Sequence, residues 1–315
     1  MPVFDQKSAE VMMPREILDG MVRDVVEASS VAALSAVEPM RFGKADIIRF
    51  TSEPRAEFVE AGGEKSSSIP SFDTVTVKPH KAQVTMRFDQ EVQWADEDHQ
   101  MGIFDTLAGA AKDALVRALD LGLYHRLNPL TGNVLTEWDN YLTSTPNRVE
   151  LTGELTADEG IRQAAGLLVN RSKPVTVNGL AVDPRMTWEL SQVQNLTADG
   201  IPSGVFRFPE LGIGTSITNF QGVKAVQAST VSGEPEGADT GVRAIIGDFA
   251  DGIRWGIQKE LPVELIRYGD PDGQGDLARR NQIAMRAEIV FGWHVFADRF
   301  ALVTLPSDEG NDTGE

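Results

Sequence analysis

The sequence predicts an α+β protein, and three observations carry that class. Apolar and polar residues alternate with period two from Asp46 to Val92, and again from Ile283 towards Leu305. One long stretch, His99 to Leu127, keeps the period of a helix instead. Strands and helices come in partly segregated blocks, with no internal repeat.

Residues 1–14 read as a loose start between Pro2 and Pro14. Ile17, Met21, Val25 and Val26 then recur at helical spacing, which predicts a short amphipathic helix at about 15–28. The small apolar run Val31 to Val37 follows and is stopped by Pro39. In the first alternating block, Ile48 and Phe50 belong to one strand and Val75, Val77, Val84, Met86 and Phe88 to the next. Between them, Glu53 to Ser71 holds two prolines and a glycine- and serine-rich tip, Gly62-Gly63-Glu64-Lys65-Ser66. This predicts a two-stranded excursion with a flexible tip. A lone hairpin is marginal in water, so such an arm needs another surface to lie on.

Asp96-Glu97-Asp98 opens the clearest helix, with Asp98 as N-cap and the acidic triplet at the positive end of the helix dipole. Its stripe reads Ile103, Leu107, Ala110, Ala114, Ala118 and Leu121, and its length is roughly 40 Å. Asn128-Pro129 ends it, and His125 suits the negative end of the dipole. A capping box, Thr156-Ala157-Asp158-Glu159, begins a second helix with Ile161, Ala164, Ala165 and Leu168 on one face. A strand at Val175 to Val182 leads to Asp183-Pro184, an N-cap with proline at the first helical position, and a helix to Gln194. Short strands are expected near Ile217 and at Val223 to Val226, and Ser232 to Asp239 as an acidic surface loop. Further strands fall at 244–246, 253–257, 263–268, 283–291 and 300–305, before an acidic tail at 307–315 that is expected to be disordered.

The 315 residues suffice for two domains, and 41% hydrophobic content is enough to bury real cores. With no cysteine, disulfides, thiolate zinc sites and cysteine nucleophiles are excluded, and the expectation is a reducing cytoplasm. The formal charge of −18 argues against wrapping nucleic acid, whose phosphates are bound through Lys and Arg. Met1 to Glu10 lacks a signal-peptide pattern and no apolar run reaches bilayer length, so no membrane partner is expected.

No catalytic pattern is complete in the sequence. Gly212-Ile213-Gly214-Thr215-Ser216-Ile217 lacks the third glycine of a dinucleotide loop and reads as a turn. Gly62-Gly63-Glu64-Lys65-Ser66 has P-loop letters at the wrong spacing, and no nucleophile elbow occurs. The histidines, His80, His99, His125 and His294, form no metal-binding pair, and the residues around His99 read as a helix cap. Asp270 to Asp276 lacks the ligand pattern of a calcium loop and reads as a solvated turn. No catalytic, cofactor or metal residue is predicted, and the expectation is that the chain is not an enzyme.

Three segments then carry a resemblance: Ile246-Gly247-Asp248-Phe249; Asn281 to Gly292 with Arg286 and Gly292; and Phe300 to Leu305. In their order and spacing they resemble the major capsid proteins of tailed bacteriophages, the Hong Kong ninety-seven fold shared with encapsulins. The resemblance spans nearly the whole chain. It implies an N-terminal arm at 1–45, an extended β-hairpin loop at 46–92 with its tip at 62–68, and a long spine helix at 99–127. It further implies a peripheral domain of 93–149 with 251–306, and an axial domain at 150–250. The implied role is self-assembly as hexamers and pentamers into an icosahedral virion shell around double-stranded DNA, without sequence-specific contact. Gly62, Gly63, Glu64, Lys65 and Ser66 become the inter-subunit contact at the loop tip.

Partners implied with it are a portal protein, a decoration protein and, because no long helical scaffolding segment precedes the arm, a separate scaffolding protein. Production in the host bacterial cytoplasm is expected. Some relatives crosslink a hairpin lysine; Lys65 stands near the tip, but no matching asparagine and glutamate can be assigned. An encapsulin-like compartment is the alternative within the fold, and a soluble α+β enzyme the alternative outside it.

Overall fold

The computed structural model describes residues 29–52, 56–67, 71–91, 97–153, 155–197, 201–212 and 216–306. The helix expected at 15–28, the tail at 307–315 and the centre of the Gly212–Ile217 turn lie outside them.

Helix α1 (Ser30–Leu34) is capped by Ser29, whose hydroxyl accepts the Ala32 N–H. Strands β1 (Ala45–Ser52) and β2 (Ser71–Asp89) pair antiparallel. Helix α2 (Glu97–His125) starts two residues earlier than expected, so Asp98 lies in its first turn and is not its cap. It ends at Arg126, a non-glycine residue at φ 52 whose N–H bonds the Gly122 carbonyl at 3.0 Å, the left-handed way of closing a helix. Of the expected stripe, Leu121 is fully buried and Leu107 packs on the core, whereas Ala110 is exposed and Ala114 and Ala118 are half-buried; the buried line runs one position on, through Ala111, Leu115 and Leu119.

Strand β3 (Arg148–Glu150) precedes α3 (Ala157–Val169), where Glu159 reaches back to the Thr156 N–H at 3.1 Å in the expected capping box. Strand β4 (Gly179–Val182) is shorter than predicted; Asp183 and Pro184 start α4 (Pro184–Gln192) as expected. A ribbon of β5 (Gln194–Leu196) and β6 (Pro202–Phe206) was not foreseen. Strands β7 (Asn219–Phe220), β8 (Val223–Gln227) and β9 (Val242–Gly247) follow, then the short helix α5 (Phe249–Gly252).

The runs at 253–257 and 263–268 fuse into one strand, β10 (Ile253–Ile266). Register shifts between Ile257 and Lys259 and between Leu261 and Glu264 absorb the break, and Pro262 falls inside the second, where no ladder donor is needed. Strand β11 (Gln282–Val295) runs through Gly292 unbroken, and β12 (Phe300–Thr304) closes the chain.

Besides the β5–β6 ribbon, the described strands form two sheets, in the orders β1-β2-β11-β10 and β3-β12-β9-β4-β8-β7. The second is buried on both faces. Ala181, Ile245, Phe300 and Leu302 join a core with α2 and the first sheet, centred on Trp255, Phe291 and Trp293. Their neighbours Leu180, Val182, Ala244, Ile246, Ala301 and Val303 join a second core with α3 and α4. Two-sided burial is why these strands read as unbroken apolar runs.

The acidic segment Ser232–Asp239 is not simply a surface loop. Ser232 is fully buried, Glu236 pairs with Arg117 on α2, and Asp239 accepts from Arg243 at 2.8 and 2.9 Å and from Arg185 at 2.9 Å. Its carboxylates answer cations, so the charge run packs against the body. Likewise, in the Asp270–Asp276 turn, Asp270 bonds Arg87 at 2.9 Å and Asp272 takes its Nε at 2.6 Å.

Candidate assembly surface

Among the described residues, the outer part of the β1–β2 hairpin has little support of its own. Strand β2 pairs with β1 only over Ser71–Val77 and with β11 only over Lys78–Asp89. Among the described residues the outer half of the hairpin is therefore a ribbon of two strands with no third, roughly 25 Å long at 3.3 Å per residue. Opposed residues share a face. Ile47, Val75 and Val77 make the better buried face, with Val77 fully enclosed. The other face carries Ile48 opposite Thr74, and Phe72 opposite Phe50; Ile48 is 68% and Phe72 56% exposed.

The tip is a closed turn and not a loose chain. Gly63 N–H bonds the Glu60 carbonyl at 2.9 Å, and Gly62 sits at φ +86 in the turn position that glycine suits. Glu57 spans the base of the turn, accepting the Ser66 N–H at 2.5 Å and the Ser66 hydroxyl at 2.6 Å. Those bonds, the hydroxyl first, hold the Glu57 carboxyl below its ordinary range. Gly62, Gly63, Glu64, Lys65 and Ser66 are brought together here, all exposed. Beside them Phe58 stands fully exposed, a residue that the glycine- and serine-rich pattern drew attention away from.

The hairpin leaves a rigid base. Where β2 changes partner, His80 stacks on Trp293 at 3.9 Å between ring centroids, and Trp138 meets Trp293 edge-on at 5.4 Å. Gly122 lets helix α2 approach both indoles: a Cβ there would lie 3.1 Å from Trp293 and 3.3 Å from Trp138. Desolvation, with Lys78 nearby, lowers the His80 pKa to about 4, so the ring stays neutral.

Residues 29–43 are strapped to the body. Glu38 N–H bonds the Trp255 carbonyl at 2.9 Å, the Trp255 indole donates to Ser35 Oγ at 2.9 Å, and Gln258 exchanges two hydrogen bonds with the Gly43 backbone. Asp120, buried in α2, accepts from Ser29, Ser30, Val31 and Thr230. His125 is not the dipole cation that its position suggested. It is buried, its Nε2 lies 2.9 Å from the Val231 carbonyl, and desolvation lowers its pKa to about 4.

A second exposed ribbon, β5–β6, displays Leu196, Ile201 and Val205. The signal for it lay in Pro202-Ser203-Gly204 between apolar residues, but so short a pairing carries no clear period.

A model described as the phage capsid family matches residues 9–125. Among solved structures, one from Mycobacterium phage Ogopogo is 41% identical over 88% of this chain and 92% of its own, with a TM-score of 0.76. One from Gordonia phage Cozz is 29% identical over 89% and 87%, also at 0.76. At 14% identity, the capsid of a native GTA particle matches in fold alone, with a TM-score of 0.56 over 88% of this chain and 90% of its own. No curated protein matches the chain.

Proposed function

The chain belongs to the phage capsid family, and from that premise we propose that it is the major shell subunit of a tailed phage, assembling as hexamers and pentamers into an icosahedral shell around double-stranded DNA. Membership makes it a structural protein of the virion and not an enzyme. Among the described residues, no helix is long and apolar enough to cross a membrane.

The observation that carries the reading is the unsupported β1–β2 ribbon. Its outer face holds Ile48, 68% exposed among the described residues, and contact with another molecule would remove it from water. Residues 1–45 serve as arm, 46–92 as extended loop with tip 62–68, and 99–127 as spine. Residues 93–149 with 251–306 form the peripheral domain, and 150–250 the axial domain. Gly62 to Ser66 lie at the inter-subunit contact. A separate scaffolding protein, a portal and a decoration protein complete the assembly. The charge of −18 keeps packaged DNA from adhering to the wall; a strongly basic inner surface would count against that.

Sedimentation and negative-stain microscopy of the expressed chain test the proposal. Capsomers or megadalton closed shells are expected. A compact monomer at every concentration, with the hairpin protected from protease, would overturn it.

A further inference from the structure

We infer that the groove between the start of α4 and the end of β12 is a docking site for a basic segment of a second protein, with Trp188 as the ring on which its lysine or arginine side chain lies. The inference goes beyond the shell reading, which stands without it.

The groove has a volume of about 420 Å³ and is lined by Pro184, Arg185, Trp188, Glu189, Arg243 and Leu305. Helical spacing sets Arg185, Trp188 and Glu189 on one side of α4, while Met186 and Leu190 on the other are buried in the second core. Trp188 is left 51% exposed, and Leu305 is 37% exposed. The frame is fixed. The Asp183 carboxylate accepts the Arg185 N–H at 2.8 Å, and the Leu305 N–H donates to the Gly241 carbonyl at 2.8 Å. A partner therefore has little of this surface left to order. An exposed indole on a fixed helix is the kind of residue that carries binding energy when a partner covers it.

Charge decides what lies there. The arginines in the wall are already matched. Arg185 donates from Nε to Asp183 at 3.0 Å, from Nη1 to Asp239 at 2.9 Å and from Nη2 to Glu234 at 2.9 Å. Both Nη atoms of Arg243 donate to Asp239. Glu189 has no hydrogen-bond or ion-pair partner among the described residues. Two guanidiniums against four carboxylates leave the rim negative. An alkyl stem on Trp188 and Leu305, with its cation over the indole and towards Glu189, satisfies both the apolar floor and that charge. A second copy, with 47 acidic against 29 basic residues, is repelled. So is the chain's own 307–315 segment, which carries Asp308, Glu309, Asp312 and Glu315. A basic partner is drawn in.

The test follows fluorescence anisotropy of a labelled peptide of alternating lysine and leucine, and of its glutamate-for-lysine counterpart. Each is titrated with the full-length unassembled subunit and with assembled particles. Wild type is compared with W188A, E189Q and D113N, the last removing an exposed carboxylate of α2 outside the groove. The basic peptide should bind wild type and D113N alike, W188A about tenfold more weakly and E189Q about threefold more weakly. W188A binding like wild type, or E189Q and D113N losing equally, reduces the effect to the subunit's overall charge and overturns the inference. Tighter binding of the glutamate peptide overturns it as well, because the arginines would then be the recognising groups. Binding to the unassembled subunit that disappears in particles gives the groove to a second copy and rejects the basic partner. Should W188A melt below wild type, the comparison of E189Q with D113N decides alone. None of these outcomes bears on the shell reading, which fails only if the wild type does not associate.

Discussion

Asp120 accepts the Ser30 backbone N–H at 3.0 Å and the Ser30 hydroxyl at 2.6 Å, tying the long helix α2 to a residue 90 positions earlier. With Ser29, Val31 and Thr230 also donating to it, one buried carboxylate fixes where the N-terminal segment leaves the body. Replacing it with alanine strands several buried donors at once, each worth about 1–3 kcal/mol when unpaired. D120A should destabilise the unassembled subunit by about 3 kcal/mol or more. D120N, which keeps one acceptor, should lose less. Urea midpoints of the two variants against wild type measure this; equal midpoints would show that the cluster is not what holds the segment.

The buried histidines predict an acid sensitivity with a defined window. His80 and His125 have folded pKa values of about 4, lowered first by desolvation, against 6.5 for the free side chain. The unfolded chain therefore binds protons that the folded one refuses. Stability is complete above about pH 6.5 and falls as pH drops towards 4. Carboxyls held low, such as Asp239 and Asp272, lose their contribution only at lower pH, beneath their ordinary 3.8. Melting temperature should decline between pH 6.5 and 4, and H125Q, whose amide can still donate to Val231, should show a flatter profile.

Gly256 is a matter of space. A Cβ at this position would stand 2.0 Å from the Glu38 carbonyl oxygen, a backbone atom held by the Glu38–Trp255 hydrogen bond. G256A must push the 37–40 segment off β10. A cost of about 2 kcal/mol is expected, seen as a melting temperature lower by roughly 4–8 °C.

Salt should promote association. Each copy carries −18 formal charges, so copies repel at low ionic strength, while the contact proposed for the ribbon is apolar. Raising salt from 0.01 to 0.15 M shortens the screening length from about 30 to about 8 Å and should lower the concentration at which oligomers appear. An association weakened by salt would point to ion pairs as its main source.

The linear pattern determined the local features by itself. The capping box at Thr156, the Asp183-Pro184 helix start and the two strands flanking residues 53–70 follow from near-neighbour chemistry, which a sequence states directly. Alternation survives on strands with one wetter face, and that made the hairpin readable. Only the tertiary structure decided which side of α2 faces the core, because that depends on what packs opposite. The same holds for the joining of 253–266 into one bulged strand, and for the acidic 232–239 run, whose charges meet Arg117 and Arg185 from distant segments. His125 had the position of a dipole cation, yet burial under Val231 keeps it neutral. Phe58 was one apolar letter in a polar stretch. Its exposure became visible once the Glu57–Ser66 closure, made across nine positions, fixed the turn around it. Short-range preference is written in the order of residues, whereas desolvation and long-range pairing exist only after the chain has closed on itself.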